Sequence, residues 1–367
     1  MQNAKFNIVV DGQFGSCGKG LISTYLVHRY NIKNVSTTNM ANAGHTAVNI
    51  DGSKHIGKAL PAAAILRNWY PTIFGNMFVH IGPTAGFTVA QFHKESVQTL
   101  TPAPWLRVHP RAGVINERHA RWESSDIDPA STKHIASTMQ GCGAMLAEKI
   151  LRGAQVRLAE NYSELDSYVV SNFVHFIHSA MNEGATFLHE GAQGFSLGIN
   201  HGHSYPYCTS RECTAMQIAA DMGIPHQLIG DVIMVIRPYP IRVGNVVENG
   251  KQVGYSGDWY PDQEEITWEQ IGVPPEITTV TGRMRRVATF SWQELKVAAR
   301  INGATQIAVN FANYLDPLCY GIKDVEALSP RIVEFCSKVQ TSTGVPVRYI
   351  GTGPRICDVC YNDGSRF

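Results

Sequence analysis

The chain has 367 residues, 44% hydrophobic and 17% charged, with a formal charge of +1. This composition suits a soluble globular α/β protein, and the near-zero charge gives no global basic field for nucleic acid, so any phosphate binding has to be local. There is no run of about 18 apolar residues to span a membrane, and the opening MQNAKFNIVVD enters a strand pattern without a signal-peptide core, so the expected location is cytoplasmic.

Phe6–Asp11 reads as a short buried strand, followed by a glycine-rich loop and helical spacing over Leu21–Tyr30. Val48–His55 carries Asp51-Gly52, a tight hairpin turn. Asn76–Gly82 is an apolar strand, a helix lies near Val89–Leu100, and Ser137–Arg152 is helical in its later part. Phe187–Glu190 is a strand ending in a GAQG loop. Val232–Ile236 is a further strand, and Val246–Tyr255 is a second hairpin around Asn249-Gly250. A helix at Trp292–Ile301, a strand at Gln306–Phe311, a helix at Pro330–Val339 and a strand at Val345–Ile350 complete the pattern. Strands alternating with helices predict a mostly parallel central sheet covered by helices, with antiparallel hairpin additions. No linker is rich enough in Pro, Gly or Ser to force a boundary, so residues 1–367 are read as one domain. Cys357 and Cys360 form the one C-x-x-C pair among eight cysteines; with no second pair to complete a zinc site, the cysteines are read as reduced and structural.

Six short constellations carry chemistry. In Asp11-Gly12-Gln13-Phe14-Gly15-Ser16-Cys17-Gly18-Lys19-Gly20, glycines let backbone amides approach phosphate, and the following helix N-terminus favours an anion. It is not a Walker A loop, because five residues separate Gly12 from Gly18 and Gly20 stands where Ser or Thr should follow the lysine. Asn42-Ala43-Gly44-His45-Thr46 offers a histidine to a developing oxyanion, though as one histidine of fourteen it proves little alone. Glu190-Gly191-Ala192-Gln193-Gly194 lies after a strand, where α/β proteins place ligands. Tyr205–Ser210 is a rigid polar loop, and Thr281–Arg286 alternates arginines suited to bidentate capture of carboxylate or phosphate. Gly351-Thr352-Gly353-Pro354 is a late turn suited to a planar base or ribose.

In this order, from residue 8 to about 355, these motifs resemble the adenylosuccinate synthetase family, whose pattern runs G-x-Q-W-G-D-E-G-K-G, N-A-G-H-T, E-G-A-Q-G, Y-P-Y-V-T-S, T-G-R-x-R-R, T-K-L-D and a final G-P turn. The resemblance implies a fold related to the P-loop NTPases and a two-step ligase reaction. The purine 6-oxygen takes the γ-phosphate of a nucleoside triphosphate, and the aspartate amine then displaces it. Carried over position by position, Ser16, Lys19 and His45 stand in the catalytic places, with the last two stabilising the transferring phosphoryl group. Gly15, Gly18, Gly20 and Thr46 would line the triphosphate, and Asn313, Gly351, Gly353 and Pro354 the donor's base. Asn42, Thr138, Gln193, Leu197 and Thr209 would hold the monophosphate nucleotide, Val243 its ribose, and Arg285 and Thr281 with Arg283 would take phosphate and the aspartate carboxylates. The resemblance also implies Mg2+, with the Gly44 carbonyl as a ligand and Ser16 as a second candidate, and a homodimer in which Arg152 reaches the neighbouring active site.

Two departures are chemical. Ser16 stands where the family has an aspartate that serves as base and metal ligand, and a serine does neither at neutral pH without an activating neighbour. Its small hydroxyl leaves room for the 2-amino group of guanine. The stretch aligned with T-K-L-D is Asn310-Phe311-Ala312-Asn313-Tyr314-Leu315-Asp316, in which Asn313 replaces the aspartate that reads guanine. An amide both donates and accepts, as adenine's edge requires, so ATP or dATP is expected as donor, with Phe311 covering the base. Both changes resemble a viral branch of the family that joins aspartate to dGMP, whose members act in a host cytoplasm. A standard inosine monophosphate enzyme and a nucleotide-binding switch are the rival readings. What accepts the ring proton stays open between the substrate's phosphate, a water and another side chain.

Overall fold

The computed structural model describes residues 5–125, 131–153, 156–278 and 281–367. A nine-stranded sheet organises it: β1 (Phe6–Asp11), β2 (Asn34–Thr37), β3 (Phe78–Ile81), β4 (Leu106–Val108), β5 (Phe187–Glu190), β6 (Ile229–Ile236), β7 (Gln306–Val309), β8 (Val347–Gly351) and β9 (Val359–Tyr361). The spatial order is β9-β8-β7-β6-β1-β5-β2-β3-β4. All neighbours are parallel except β8 and β9. Small antiparallel pairs are added outside this sheet, including the hairpins His45–Val48 with Lys54–Gly57 and Val246–Glu248 with Lys251–Gly254. The predicted mixture of a parallel sheet with hairpin additions is what the chain forms.

The strands alternate their side chains between two apolar cores. Val9 of β1 packs with helix α1 (Lys19–Tyr30), whereas Ile8 and Val10 pack on the other side with α5 (Phe173–Asn182), α7 (Trp292–Asn302) and α8 (Pro330–Thr343). The remaining longer helices are α2 (Val89–Gln98), α3 (Glu117–Ser124), α4 (Cys142–Leu151) and α6 (Ala215–Asp221). All eight cysteines are free.

The structure moves several sequence-read boundaries. Helix α1 starts at Lys19, two residues earlier than its apolar spacing suggests, because Gly18 takes a left-handed φ of 88° that turns the loop directly into the helix. The strand read as Gln306–Phe311 stops at Val309, since the Asn310 amide turns back to the carbonyls of Cys17 and Gly18 and Phe311 is left-handed, with φ 57°. Strand β2 has the polar sequence NVST and gives no apolar signal, yet all four residues are buried. Its polar groups are satisfied inside the sheet. Ser36 Oγ lies 3.0 Å from His189 Nδ1, and Thr37 Oγ1 donates to the Glu190 carbonyl at 2.9 Å.

Buried histidines give the fold an acid limit. Burial, reinforced by nearby Arg107 and Arg211, pushes the pKa of His80 and of His189 down to about 3. In the unfolded chain both titrate near the ordinary histidine value of about 6.5. Below that value the unfolded state takes up protons that the native state refuses, so stability present at neutral pH is lost as the pH falls from about 6.5 toward 3. The melting temperature is expected to drop progressively between pH 6.5 and pH 4; a flat profile across that window contradicts the assignment.

Candidate active site

A cavity of about 580 Å³ opens among the loops that leave the carboxyl ends of β1, β2, β5, β6 and β7. This is where an α/β sheet whose order reverses around β1 is expected to bind a ligand, and the volume lies within the usual range of small-molecule sites, about 300–1,000 Å³.

Asp11, the last residue of β1, organises the first wall. Its Oδ1 accepts from the N–H groups of Gln13 (3.0 Å) and Gly15 (3.2 Å), and its Oδ2 accepts from Cys17 N–H (3.0 Å) and from Lys19 Nζ (3.1 Å). The loop is thus folded around one carboxylate. Lys19 is only 3% exposed and also donates to the Gln193 carbonyl at 2.7 Å, tying the loop to the segment after β5. An ammonium has three donors, so one is left for a ligand in the cavity that Lys19 lines. Gly18 is required by contact as well as by φ, since a Cβ there would stand 2.5 Å from Asn310 Nδ2.

His45 begins the hairpin over α1. Its Nδ1 lies 2.7 Å from Glu190 Oε1, which also accepts from Ala62 N–H at 2.9 Å, while Glu190 Oε2 accepts from the Ser23 hydroxyl. Burial pushes the Glu190 carboxyl up, but the His45 charge and these hydrogen bonds outweigh it and hold the group below the ordinary carboxylate value. An ionised carboxylate only accepts, so Nδ1 carries the proton and Nε2 is the nitrogen free to act toward the cavity. The fixed negative partner holds the ring in place at the cavity, where a transferring phosphoryl group could meet it. The motif reading found His45 but treated Glu190 as the end of a strand. Its signal was an acid on a fully buried strand, a position that demands a cationic or hydrogen-bonding partner.

The facing wall combines Ser16, Arg285, Glu276 and Arg237. Ser16 has a left-handed φ of 58° and its Oγ accepts from Arg285 Nη1 at 2.6 Å. Arg237, fully buried, is bound by both Glu276 oxygens and donates to the Ser16 carbonyl at 3.3 Å. Its guanidinium lies 4.0 Å from the Phe311 ring centroid, a cation–π distance. Burial pushes the Glu276 carboxyl up, but Arg237, Arg285 and the Tyr314 hydroxyl together hold it below its ordinary value. Glu276 and Arg237 belong to none of the motifs that the sequence singled out as chemical, and Tyr314 lies in the stretch aligned with T-K-L-D without a role assigned to it.

The cavity brings together Gly15, Ser16, Gly18, Lys19, Gly20 and Leu21 of the loop and α1 with Asn42, Gly44, His45 and Thr46. Thr138, Gln193, Leu197, Val243 and Arg285 also line it, as do Asn313, Gly353 and Pro354. Five predicted residues stand outside that lining. Arg152 is exposed at the end of α4. Thr209 is half-buried and its N–H donates to Leu197 O at 2.8 Å. Thr281 Oγ1 is 2.6 Å from Thr278 Oγ1. Arg283 donates to the carbonyls of Ala136 (2.9 Å) and Ser137 (3.0 Å), beside Thr138. Gly351 closes β8 against Asn310, whose Oδ1 a Cβ would meet at 2.2 Å.

No group of three His, Cys, Asp or Glu among the described residues forms a metal cage. Magnesium, however, typically keeps substrate phosphates and waters with few protein ligands. A backbone carbonyl such as that of Gly44 fits that habit, whereas the Ser16 hydroxyl, already beside a guanidinium, suits a cation poorly.

The adenylosuccinate synthetase family model matches residues 8–165 and 154–320. The chain belongs to the adenylosuccinate synthetase family. It is 37% identical to the N6-succino-2-amino-2'-deoxyadenylate synthase of Salmonella phage PMBT28, covering 97% of each chain. It is 35% identical to the synthase of that name from Vibrio phage phiVC8, over 96% of this chain and 97% of the relative. The adenylosuccinate synthetase of Methanococcus vannielii is 33% identical, over 95% and 96%. Among solved structures, the succinoaminodeoxyadenylate synthetase of cyanophage S-2L, bound to dGMP and to dATP as energy donor, superposes with a TM-score of 0.82 at 29% identity, covering 97% of this chain and 95% of that one. The chain therefore has the adenylosuccinate synthetase fold, and the family's chemistry is that of a C–N ligase.

Proposed function

We propose that this protein joins L-aspartate to the purine 6-position of dGMP with ATP or dATP, through a 6-phosphoryl intermediate, giving 2-amino-2'-deoxy-N6-succinyladenylate, the nucleoside diphosphate and phosphate. The observation that carries the reading is Ser16, at the position of the family's aspartate, with its hydroxyl held at the cavity by Arg285. The small side chain leaves room for a 2-amino group and a lone pair to accept from it, an interaction worth about 0.5–1.5 kcal/mol net. The full-length likeness to phage synthases and to a structure holding dGMP and dATP supports the same substrates.

In this reading Lys19 and the His45–Glu190 pair face the transferring phosphoryl group. Thr138 and Gln193 hold the monophosphate, with Arg285 beside Ser16. Thr281 and Arg283 take the aspartate carboxylates. Asn313 and Phe311 face the donor's adenine, with Gly353 and Pro354 on the neighbouring strand's loop. Bound magnesium would supply charge neutralisation for phosphoryl transfer, and the Gly44 carbonyl would be the protein group to hold it. The chain works as a single domain in the host cytoplasm; no helix among the described residues is long and apolar enough to cross a membrane.

The reading includes a homodimer. Ile150 and Leu151 at the end of α4 are each 73% exposed, next to Arg152, and an apolar end beside a cation suits a partner copy. An Arg152→Ala protein is expected to raise KM for dGMP about tenfold, the loss of one charge-assisted hydrogen bond. Mixing it with a Lys19→Ala protein is expected to restore activity, because one site of the hybrid dimer is then intact. Unchanged KM and no complementation contradict the shared site. The ligase reading itself is tested by phosphate release, which should require dGMP and aspartate together. Release from the donor nucleotide alone would favour a switch.

A further inference from the structure

The ligase reaction leaves the proton on N1 of the purine without a named acceptor, since Ser16 cannot take it. Among the described residues, Glu276 is the one Asp or Glu that lines the cavity. It reaches the cavity beside Ser16, separated by a single guanidinium: Arg285 Nη1 is 2.6 Å from Ser16 Oγ and Arg285 Nε is 4.0 Å from Glu276 Oε2.

The hydrogen-bond count leaves it capacity. Glu276 Oε1 is taken by Arg237 Nη2 and by the Tyr314 hydroxyl at 3.1 Å. Oε2 accepts one bond, from Arg237 Nη1 at 3.2 Å. A carboxylate oxygen has two lone-pair sites, so Oε2 keeps one. The side chain is 21% exposed, whereas its partner Arg237 is fully buried. The charged and titratable groups facing it are Arg237, Arg285 and Tyr314, and the two arginines keep it ionised at neutral pH. A weak base is sufficient here, because a purine whose 6-oxygen is gaining a phosphoryl group becomes strongly acidic at N1.

We propose that Glu276 is the proton acceptor of the first step, replacing the family's loop aspartate from beside Ser16 on the same wall of the cavity. The N1–H bond breaks and its proton goes to Glu276 Oε2. The electron pair passes through the ring to O6, which bonds to the γ-phosphorus. The bridging oxygen leaves with the other pair on the nucleoside diphosphate. The inference rests on the ligase reading above, in which dGMP carries that proton.

The test is a comparison of backgrounds. Glu276→Gln is made in the natural protein and in a Ser16→Asp protein, which puts a carboxylate back on the loop. Turnover is measured with dGMP for the first and with inosine monophosphate, which lacks the 2-amino group, for the second. Nucleotide binding and melting temperature are followed in all four proteins. Turnover is expected to fall at least 100-fold in the Ser16 background and less than threefold in the Ser16→Asp background. Glu276→Asp, which keeps the charge that neutralises Arg237 but withdraws it by one methylene, is the folding-safe version and should show the same contrast. Equal losses in both backgrounds would mean that Glu276 only positions Arg237 and Arg285, and would overturn the proposal, as would a Ser16→Asp protein that turns over neither nucleotide. Failure of the natural protein to use dGMP is seen before any variant is made, and defeats the substrate reading separately.

Discussion

A Glu190→Gln protein is expected to turn over roughly 10²- to 10⁴-fold more slowly, with nearly unchanged KM for both nucleotides. The amide keeps the shape of the acid and can still accept from Ala62 N–H and from His45 Nδ1, so the local fold should hold. What it removes is the negative charge beside His45. It also offers an N–H₂ group, which can reverse the hydrogen bond and place the wrong tautomer toward the cavity. The loss should therefore fall on the phosphoryl-transfer step, where charge develops, rather than on ground-state binding. Steady-state kinetics with a melting curve decide it. Activity within threefold of the natural protein would show that His45 works without its buried partner.

Ser16→Asp is expected to lower kcat/KM for dGMP by roughly 5- to 150-fold, equivalent to about 1–3 kcal/mol, and to raise it for inosine monophosphate. The backbone tolerates the change, because φ at Ser16 is 58° and aspartate is among the residues that accept the left-handed region. Arg285, now 2.6 Å from the hydroxyl, would gain an ion pair, so stability should not suffer. The cost is steric and specific. A carboxylate fills the space that the hydroxyl leaves open, and only a substrate with a 2-amino group needs that space. Unchanged use of dGMP by this variant would remove Ser16 from the account of specificity.

The sheet was legible where apolar strands announce themselves. Phe6–Asp11 and Phe187–Glu190 have the bounds read from the sequence, because each is a buried run closed by a turn or polar loop. Strand β2 was not legible: Asn34, Ser36 and Thr37 are polar, and their burial becomes tolerable only once His80, His189 and Glu190 are in place around them. Helix α5 was missed although Phe173, Ile177 and Met181 form a buried stripe four residues apart, a signal the sequence did contain. At the site, loops with glycine and a catalytic-looking side chain stood out, as with Lys19 and His45. The pairings that support them did not, even where the supporting acid stood in a motif. Asp11, Glu190 and Glu276 are acids whose roles exist only through partners 8, 145 and 39 positions away, namely Lys19, His45 and Arg237. A linear reading can find the residue that faces the ligand more readily than the one that aims it.

Phe311, proposed above to face the donor's base, is tied to the facing wall by its conformation. The left-handed backbone there sets the ring against the Arg237 guanidinium, which also bonds Glu276. Phe311 and the carboxylate proposed to take the substrate's proton therefore share one buried cation.

The central claim is a 2-aminopurine substrate, and the most direct measurement is product formation by the purified protein given dGMP or inosine monophosphate, each with aspartate, magnesium and ATP. The account predicts that kcat/KM for dGMP exceeds that for inosine monophosphate by at least about tenfold, the ratio set by roughly 1.4 kcal/mol of differential transition-state binding, and that the product carries both the 2-amino group and the succinyl group. Preferential conversion of inosine monophosphate, with dGMP left unreacted, would contradict it.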